Sequence, residues 1–283
     1  VSDGGFSLRY LLSATRPRFW LYLGGPYLLG YAAAADSPYR LLQPEFWLYL
    51  IYFLLPANLM LYGANDLGDA DTDALNPKKG TMEARMGTRA RPLAWAVTAS
   101  LLVGVAALAG LPNWPARGAM ALFLFLSLAY SLPPLRLKAR PFLDMASNVL
   151  YAMPGFVGYL QGGGEGFNLA IVAFAWCWTA SMHLFSAIPD IESDRRAGVP
   201  TASTVLGERG SLALCATLWG AACAALIAGQ VLWPWCLLAL AYPAIPLYLL
   251  LRPGAGLVRA YWAFPAVNGL LGMAAFFLIA LKL

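Results

Sequence analysis

Phe46-Trp47-Leu48-Tyr49-Leu50-Ile51-Tyr52-Phe53-Leu54-Leu55-Pro56-Ala57-Asn58-Leu59-Met60-Leu61-Tyr62-Gly63-Ala64 carries no charge, and it runs straight into Asn65-Asp66-Leu67-Gly68-Asp69-Ala70-Asp71-Thr72-Asp73. A helix needs about 20 mainly apolar residues to cross the hydrocarbon core of a bilayer. It is also the conformation that satisfies every backbone N–H and C=O within the segment, where lipid offers them nothing. If the helix continues into the acidic run, Asp66, Asp69 and Asp73 fall at i, i+3 and i+7 on one stripe, whereas Asp71 points elsewhere. One stretch thus predicts a membrane span that ends in three aligned carboxylates.

The remainder of the chain repeats the first half of that pattern. Of 283 residues, 60% are hydrophobic and 12% are charged, and the mean hydropathy is +0.63. A soluble domain carries about 25% charged residues. This composition excludes a disordered chain, a coiled coil and a secreted disulfide scaffold. Nine apolar segments lie near 19–35, 46–64, 92–111, 118–133, 143–160, 167–189, 211–229, 233–251 and 260–281. The fourth is short and the fifth is rich in Gly and Pro. Pro26, Pro56, Pro154, Pro243 and Pro246 predict kinks, which membrane helices tolerate when neighbours satisfy the freed carbonyls. The expected fold is all-α, with nine transmembrane helices around a central cavity.

Charge placement sets the expected topology. Nineteen Lys and Arg against fourteen Asp and Glu leave a net +5. With the N-terminus in the cytoplasm, the inside segments hold Arg9, Arg16, Arg18, Lys78, Lys79, Arg85, Arg89, Arg91, Arg136, Lys138, Arg140, Arg195, Arg196, Arg209, Arg252 and Arg259. Only Arg40, Arg117 and Lys282 fall outside. That bias is the one expected of cytoplasmic loops, so the basic balance reflects topology and not nucleic-acid binding. Residues 1–18 are polar to mixed, and no cleavable signal is expected there. Cys177, Cys215, Cys223 and Cys236 sit in apolar blocks without C-x-x-C spacing, so they are expected as buried free thiols.

A second acidic cluster, Asp190-Ile191-Glu192-Ser193-Asp194, opens the loop after the sixth segment and is followed by Arg195, Arg196, Gly198 and Thr201. Asp190 and Asp194, at i and i+4, share a helix face, while Glu192 lies off it. Four segments separate the two clusters, which places both on one membrane face and points to two parallel four-helix repeats plus a ninth helix. Crowded carboxylates at low dielectric need a cation, and hard oxygen ligands suit Mg²⁺, which fills its shell with substrate phosphates. A single acidic pair outside a span is usually only solvated. Two clusters with helical spacing, each ending an apolar segment on the same face, favour a site.

These motifs resemble those of the UbiA superfamily of intramembrane prenyltransferases. The resemblance is carried by N-D-x-x-D-x-x-x-D over Asn65 to Asp73, D-x-x-x-D over Asp190 to Asp194, Gly198, Thr201, Arg16-Pro17 and Tyr130-Ser131-Leu132-Pro133-Pro134-Leu135-Arg136-Leu137-Lys138. It spans the chain and implies a single UbiA-like domain over 1–283. It further implies that Asp66, Asp69, Asp73, Asp190 and Asp194 hold Mg²⁺ and an allylic diphosphate. Asn65 would line the same pocket, and Arg16 and Lys138 would contact phosphate, with Tyr130 and Arg136 beside the substrate. His183 to Asp194, together with Lys138-Ala139-Arg140-Pro141-Phe142-Leu143-Asp144, is similar to the carotenoid-directed branch, the lycopene elongases. That likeness implies transfer of a five-carbon unit from dimethylallyl diphosphate (DMAPP) to lycopene, with or without hydration of the product.

Such chemistry generates an allyl cation, which needs dry, electron-rich walls. Fourteen Phe, fourteen Tyr and ten Trp make cation–π contacts available, each about 2 kcal/mol or more when desolvated. Tyr62, Trp176 and Trp178 lie within two or three turns of the motifs; most aromatics in such a chain are packing or interface residues. His183, seven before Asp190, is a candidate for removing a proton or positioning a water, against the alternative of a satisfied core histidine. Asn58, Asp144 and Asn148 are expected at the cavity, although interhelical hydrogen bonds explain them nearly as well. Two further readings stay open: the same chemistry on an aromatic acceptor such as a quinone precursor or a tetrapyrrole, and a transporter with acidic cation sites.

Overall fold

The structure is a computed structural model that describes residues 8–68, 90–252, 254 and 256–282. Asp69, Asp71, Asp73, Lys78 and Lys79 therefore lie outside the described residues. All regular elements among the described residues are helical. Contacts divide the chain into two compact units, one of Val1–Arg136 with Met153–Gly164, the other of Leu137–Ala152 with Glu165–Lys282.

The first unit holds α1 (Leu8–Ala14), α2 (Leu21–Ala34), α3 (Pro44–Leu54), α4 (Pro56–Gly68), α5 (Ala90–Gly110), α6 (Trp114–Ala129) and α8 (Met153–Gln161). The expected second segment is the pair α3 and α4, broken at Leu55 because Pro56 has no N–H and restricts the residue before it. Asn58 repairs the break: its Nδ2 donates to the carbonyls of Phe53 at 2.7 Å and Leu54 at 3.0 Å. Helices α2 and α8 approach closely through small residues, as helices in lipid do. A Cβ on Gly30 would collide with the carbonyl oxygen of Gly155. Around this contact sits an aromatic core of Tyr27, Tyr31, Phe46, Phe53 and Phe123, each fully or almost fully buried.

The second unit holds α7 (Leu143–Ala146), α9 (Leu169–Ala187), α10 (Ile191–Arg196), α11 (Ala202–Ala228), α12 (Ala241–Leu251) and α13 (Leu257–Ala280). Its core is a second aromatic cluster, Phe185, Trp219, Tyr242 and Phe264. Helices α9 and α11 exchange two bonds, Ser181 Oγ to the Cys215 carbonyl at 3.1 Å and Cys215 Sγ to the Ser181 carbonyl at 3.5 Å. All four cysteines are free. Within α11, Gly207 adopts φ 67 and ψ 178, a conformation open only to glycine, and it interrupts the helical axis there.

Each of the nine apolar segments is helical, but not each is one long rod. Among the described residues, five helical stretches are by length and composition long and apolar enough to cross a membrane: 44–68, 90–110, 169–196, 202–228 and 257–280. The fifth segment, with its Gly and Pro, folds as α7, a 3₁₀ turn over Ser147–Tyr151, and α8. The seventh lies in the helix that follows Gly207, and a short helical stretch from Ala202, started by the reciprocal Thr201–Thr204 capping box, precedes it ahead of the apolar run.

Replacing Gly30 with Ala should force α2 away from α8. The expected loss is about 1–3 kcal/mol, read as a lower thermal transition of the detergent-solubilised protein, while Gly25→Ala, with open space at its Cβ position, should leave the transition in place.

Candidate active site

In the first unit, α4 carries the beginning of the first acidic motif. Tyr62 and Asp66, one turn apart, both receive Arg16. Its Nη2 donates to Asp66 Oδ1 at 2.9 Å, and its guanidinium lies over the Tyr62 ring, 4.8 Å from the centroid. Phe19 packs beside this group, its ring 5.8 Å from that of Tyr62. Arg16 occupies the turn between α1 and the 3₁₀ turn Pro17–Phe19, with φ 50 and ψ 72. A left-handed conformation costs a non-glycine residue about 1–2 kcal/mol, which the charge-assisted bond and the stacked ring offset. Asn65 Oδ1 accepts a bond from the buried Ser131 Oγ at 3.1 Å. This contact ties the end of α4 to the segment that carries Tyr130 and Arg136. Both of those side chains are half-buried.

In the second unit, α9 ends at Ala187, and a 3₁₀ turn over Ile188–Asp190 containing Pro189 leads into α10. Asp190 and Asp194 are half-buried, whereas Glu192 is exposed and pairs with Arg196 at 3.5 Å on the surface. Glu192 thus stands apart from the other two, as its spacing predicts. Gly198 is the left-handed residue closing α10: Val199 N–H donates to the Asp194 carbonyl and Gly198 N–H to that of Arg195. Lys138 lies half-buried in the 3₁₀ turn Leu137–Ala139.

The same unit contains a polar group that spacing does not reveal. Asp144 is completely buried. Its Oδ2 accepts the backbone N–H of Ala202, the first residue of α11, at 2.9 Å, and lies 3.6 Å from His183 Nε2. Asn148, also buried, donates its Nδ2 to the Asp144 carbonyl at 2.5 Å. Asn58 is fully buried, with its amide nitrogen spent on the Pro56 kink. Of the aromatic candidates, Tyr62 meets Arg16, Trp178 packs edge-on to Tyr242 at 5.6 Å, and Trp176 is exposed.

Carboxylate oxygens, as on Asp66 in the first unit and on Asp190 and Asp194 in the second, are donors of the kind a hard cation such as Mg²⁺ takes. Among the described residues, no group of three or more His, Cys, Asp and Glu comes together; Asp69 and Asp73, two of the five expected ligands, lie outside that set.

The sequence profile of the UbiA prenyltransferase family matches residues 23–264. The chain is 45% identical over 275 residues to a lycopene elongase/hydratase of Haloferax volcanii, covering 96% of this chain and 89% of that one. It is 43% identical over 279 residues to a lycopene elongase/hydratase of Haloarcula japonica, covering 97% and 92%. In fold it is similar to a UbiA homolog from Archaeoglobus fulgidus solved with DMAPP and Mg²⁺, with a TM-score of 0.73 over 97% of this chain and 100% of that chain at 24% identity. The family match covers most of the sequence, and with its long apolar helices the protein is an integral membrane protein. The chain belongs to the UbiA prenyltransferase family.

Proposed function

We propose that the protein transfers a dimethylallyl unit from DMAPP to the end of a lipophilic polyene, lycopene, with Mg²⁺ as cofactor. The observation that carries this reading is the likeness to two lycopene elongase/hydratases along nearly the whole chain. The DMAPP and Mg²⁺ of the Archaeoglobus fulgidus relative support the donor and the metal. Residues 1–283 act as one prenyltransferase domain, with the N-terminus and both acidic motifs on the cytoplasmic side, as the placement of sixteen of the nineteen cations supports.

Asp66, Asp69, Asp73, Asp190 and Asp194 hold the metal, and Asn65 orients the neighbouring donor. When bound, Mg²⁺ supplies positive charge against the anionic diphosphate. Arg16 already holds a charge-assisted bond at the first motif, so its planar fork is in place to take phosphate oxygens; Lys138 adds a point charge. These groups stabilise the negative charge that grows on the leaving oxygen as the allylic C–O bond breaks. Tyr62, Tyr130, Arg136, Asn58 and Asn148 belong to the walls that position the substrates and exclude water. The terminal double bond of the polyene attacks the allyl cation, and His183 accepts the proton released at the end.

Membranes supplied with labelled DMAPP, Mg²⁺ and lycopene should yield a labelled polyene five carbons longer. Label in a phenolic acceptor alone would overturn the polyene assignment, and a requirement for a longer donor would overturn the five-carbon one. Chelation should abolish turnover and added Mg²⁺ restore it. Asp190→Asn and Asp69→Asn should each reduce kcat/KM by about 100-fold or more; a transporter would instead lose ion flux in Asp69→Ala with no diphosphate to release. Arg16→Lys keeps the charge but loses the fork and the stacking on Tyr62, so the KM for DMAPP should rise about tenfold.

A further inference from the structure

Resting on the prenyltransferase reading above, we propose that Asp144 is a positioning residue for His183, and that this pair receives the terminating proton and thereby governs whether the product is an alkene or an alcohol. The carboxylate is deeply enclosed. Asp144 is 0% exposed, Oδ2 takes one hydrogen bond from Ala202 N–H, and Oδ1 has no hydrogen-bond partner among the described residues. Enclosing an ion this way costs several kcal/mol unless opposite charge stands close. The Thr201–Thr204 capping box closes the N–H groups of Thr201 and Thr204, and Asp144 takes that of Ala202; a neutral acceptor would serve that bond without enclosing an ion.

What an aspartate adds is a negative charge 3.6 Å from the imidazole of His183. It stands against the ring and stabilises the positive charge the ring acquires on taking a proton, the logic by which a buried carboxylate supports a histidine base. Access is one-sided. The His183 side chain retains 15% of its surface while that of Asp144 retains none, so of the pair it is the ring that keeps exposed surface. His183 lies in the last turns of α9, and Asp190 closes the 3₁₀ turn that follows it, so the imidazole and the second acidic motif are neighbours in the chain.

The reaction balances with these groups. The allylic C–O bond breaks with both electrons going to the diphosphate oxygen, and the π pair of the polyene forms the new C–C bond, leaving a tertiary cation. In one outcome a neighbouring C–H bond breaks, its electrons form the new double bond, and the proton passes to His183. In the other, a water oxygen bonds to the cation and the surplus proton of that water passes to His183. In both, Asp144 balances the charge of the ring; loss of the C–H proton needs that base at the reacting carbon, whereas an added water can shed its proton elsewhere, so weakening the pair tips the product toward the alcohol.

The test compares Asp144→Asn, His183→Asn and the double variant in membranes with Mg²⁺, DMAPP and lycopene, following diphosphate release, total elongated product and the alkene-to-alcohol ratio. Asp144→Asn keeps an oxygen for Ala202 N–H, so the thermal transition and the KM for DMAPP should hold while kcat falls about 10–100-fold and the product ratio shifts. His183→Asn should shift it in the same direction, and the double variant should be no worse than either single one, since the two act as a unit. If Asp144→Asn does not fold, Asp144→Thr supplies the same acceptor and takes its place. Unchanged kcat and ratio in Asp144→Asn, or effects that multiply in the double variant, would overturn the proposal. Failure of the underlying reading is distinct: the unaltered protein would then form no elongated polyene at all, and both would fall.

Discussion

A carboxylate in a protein dissolved in hydrocarbon has no water to fall back on, and the polar architecture of this chain follows from that constraint. Asp66 is met by a guanidinium that leaves the ordinary backbone regions to reach it. Asp144 is met by a helix N-terminus and an imidazole. Glu192, by contrast, is exposed and needs only a surface partner. The same rule acts on the backbone at Pro56, where the freed carbonyls are taken by Asn58. The two buried carboxylates are matched by groups from distant parts of the chain, and those matches fix how the helices meet within each unit.

Because lipid tails are as apolar as leucine, burial alone gives two membrane helices little reason to associate. Contact quality takes over: the close approach of α2 and α8, the Ser181–Cys215 exchange, and one aromatic cluster in each unit.

Much of this was legible before any coordinates. The nine apolar segments are all helical, the four thiols are free, Glu192 lies off the acidic face, and the family follows from two motifs and their flanks. These are local features, set by period and composition. The departures have physical causes as well. The start of α11 is hidden because a capping box, not apolarity, sets it, and Glu208 and Arg209 fall inside the helix. The fifth segment breaks into short pieces that hydropathy averages over. The Arg16–Asp66 pair spans 50 residues, and the Asp144–Ala202 bond spans 58; no periodicity encodes either.

Gly207 bears on how such a protein lives in bilayers of varying thickness. The turn held by Asp144 lies before this break, and the apolar rod that crosses the lipid lies after it. A continuous helix would transmit any change of tilt straight to its capped end. Broken at one glycine, the direction of the rod and the register of the first turn on the carboxylate are set separately, so the lipid-facing length and its polar anchor need not share one axis.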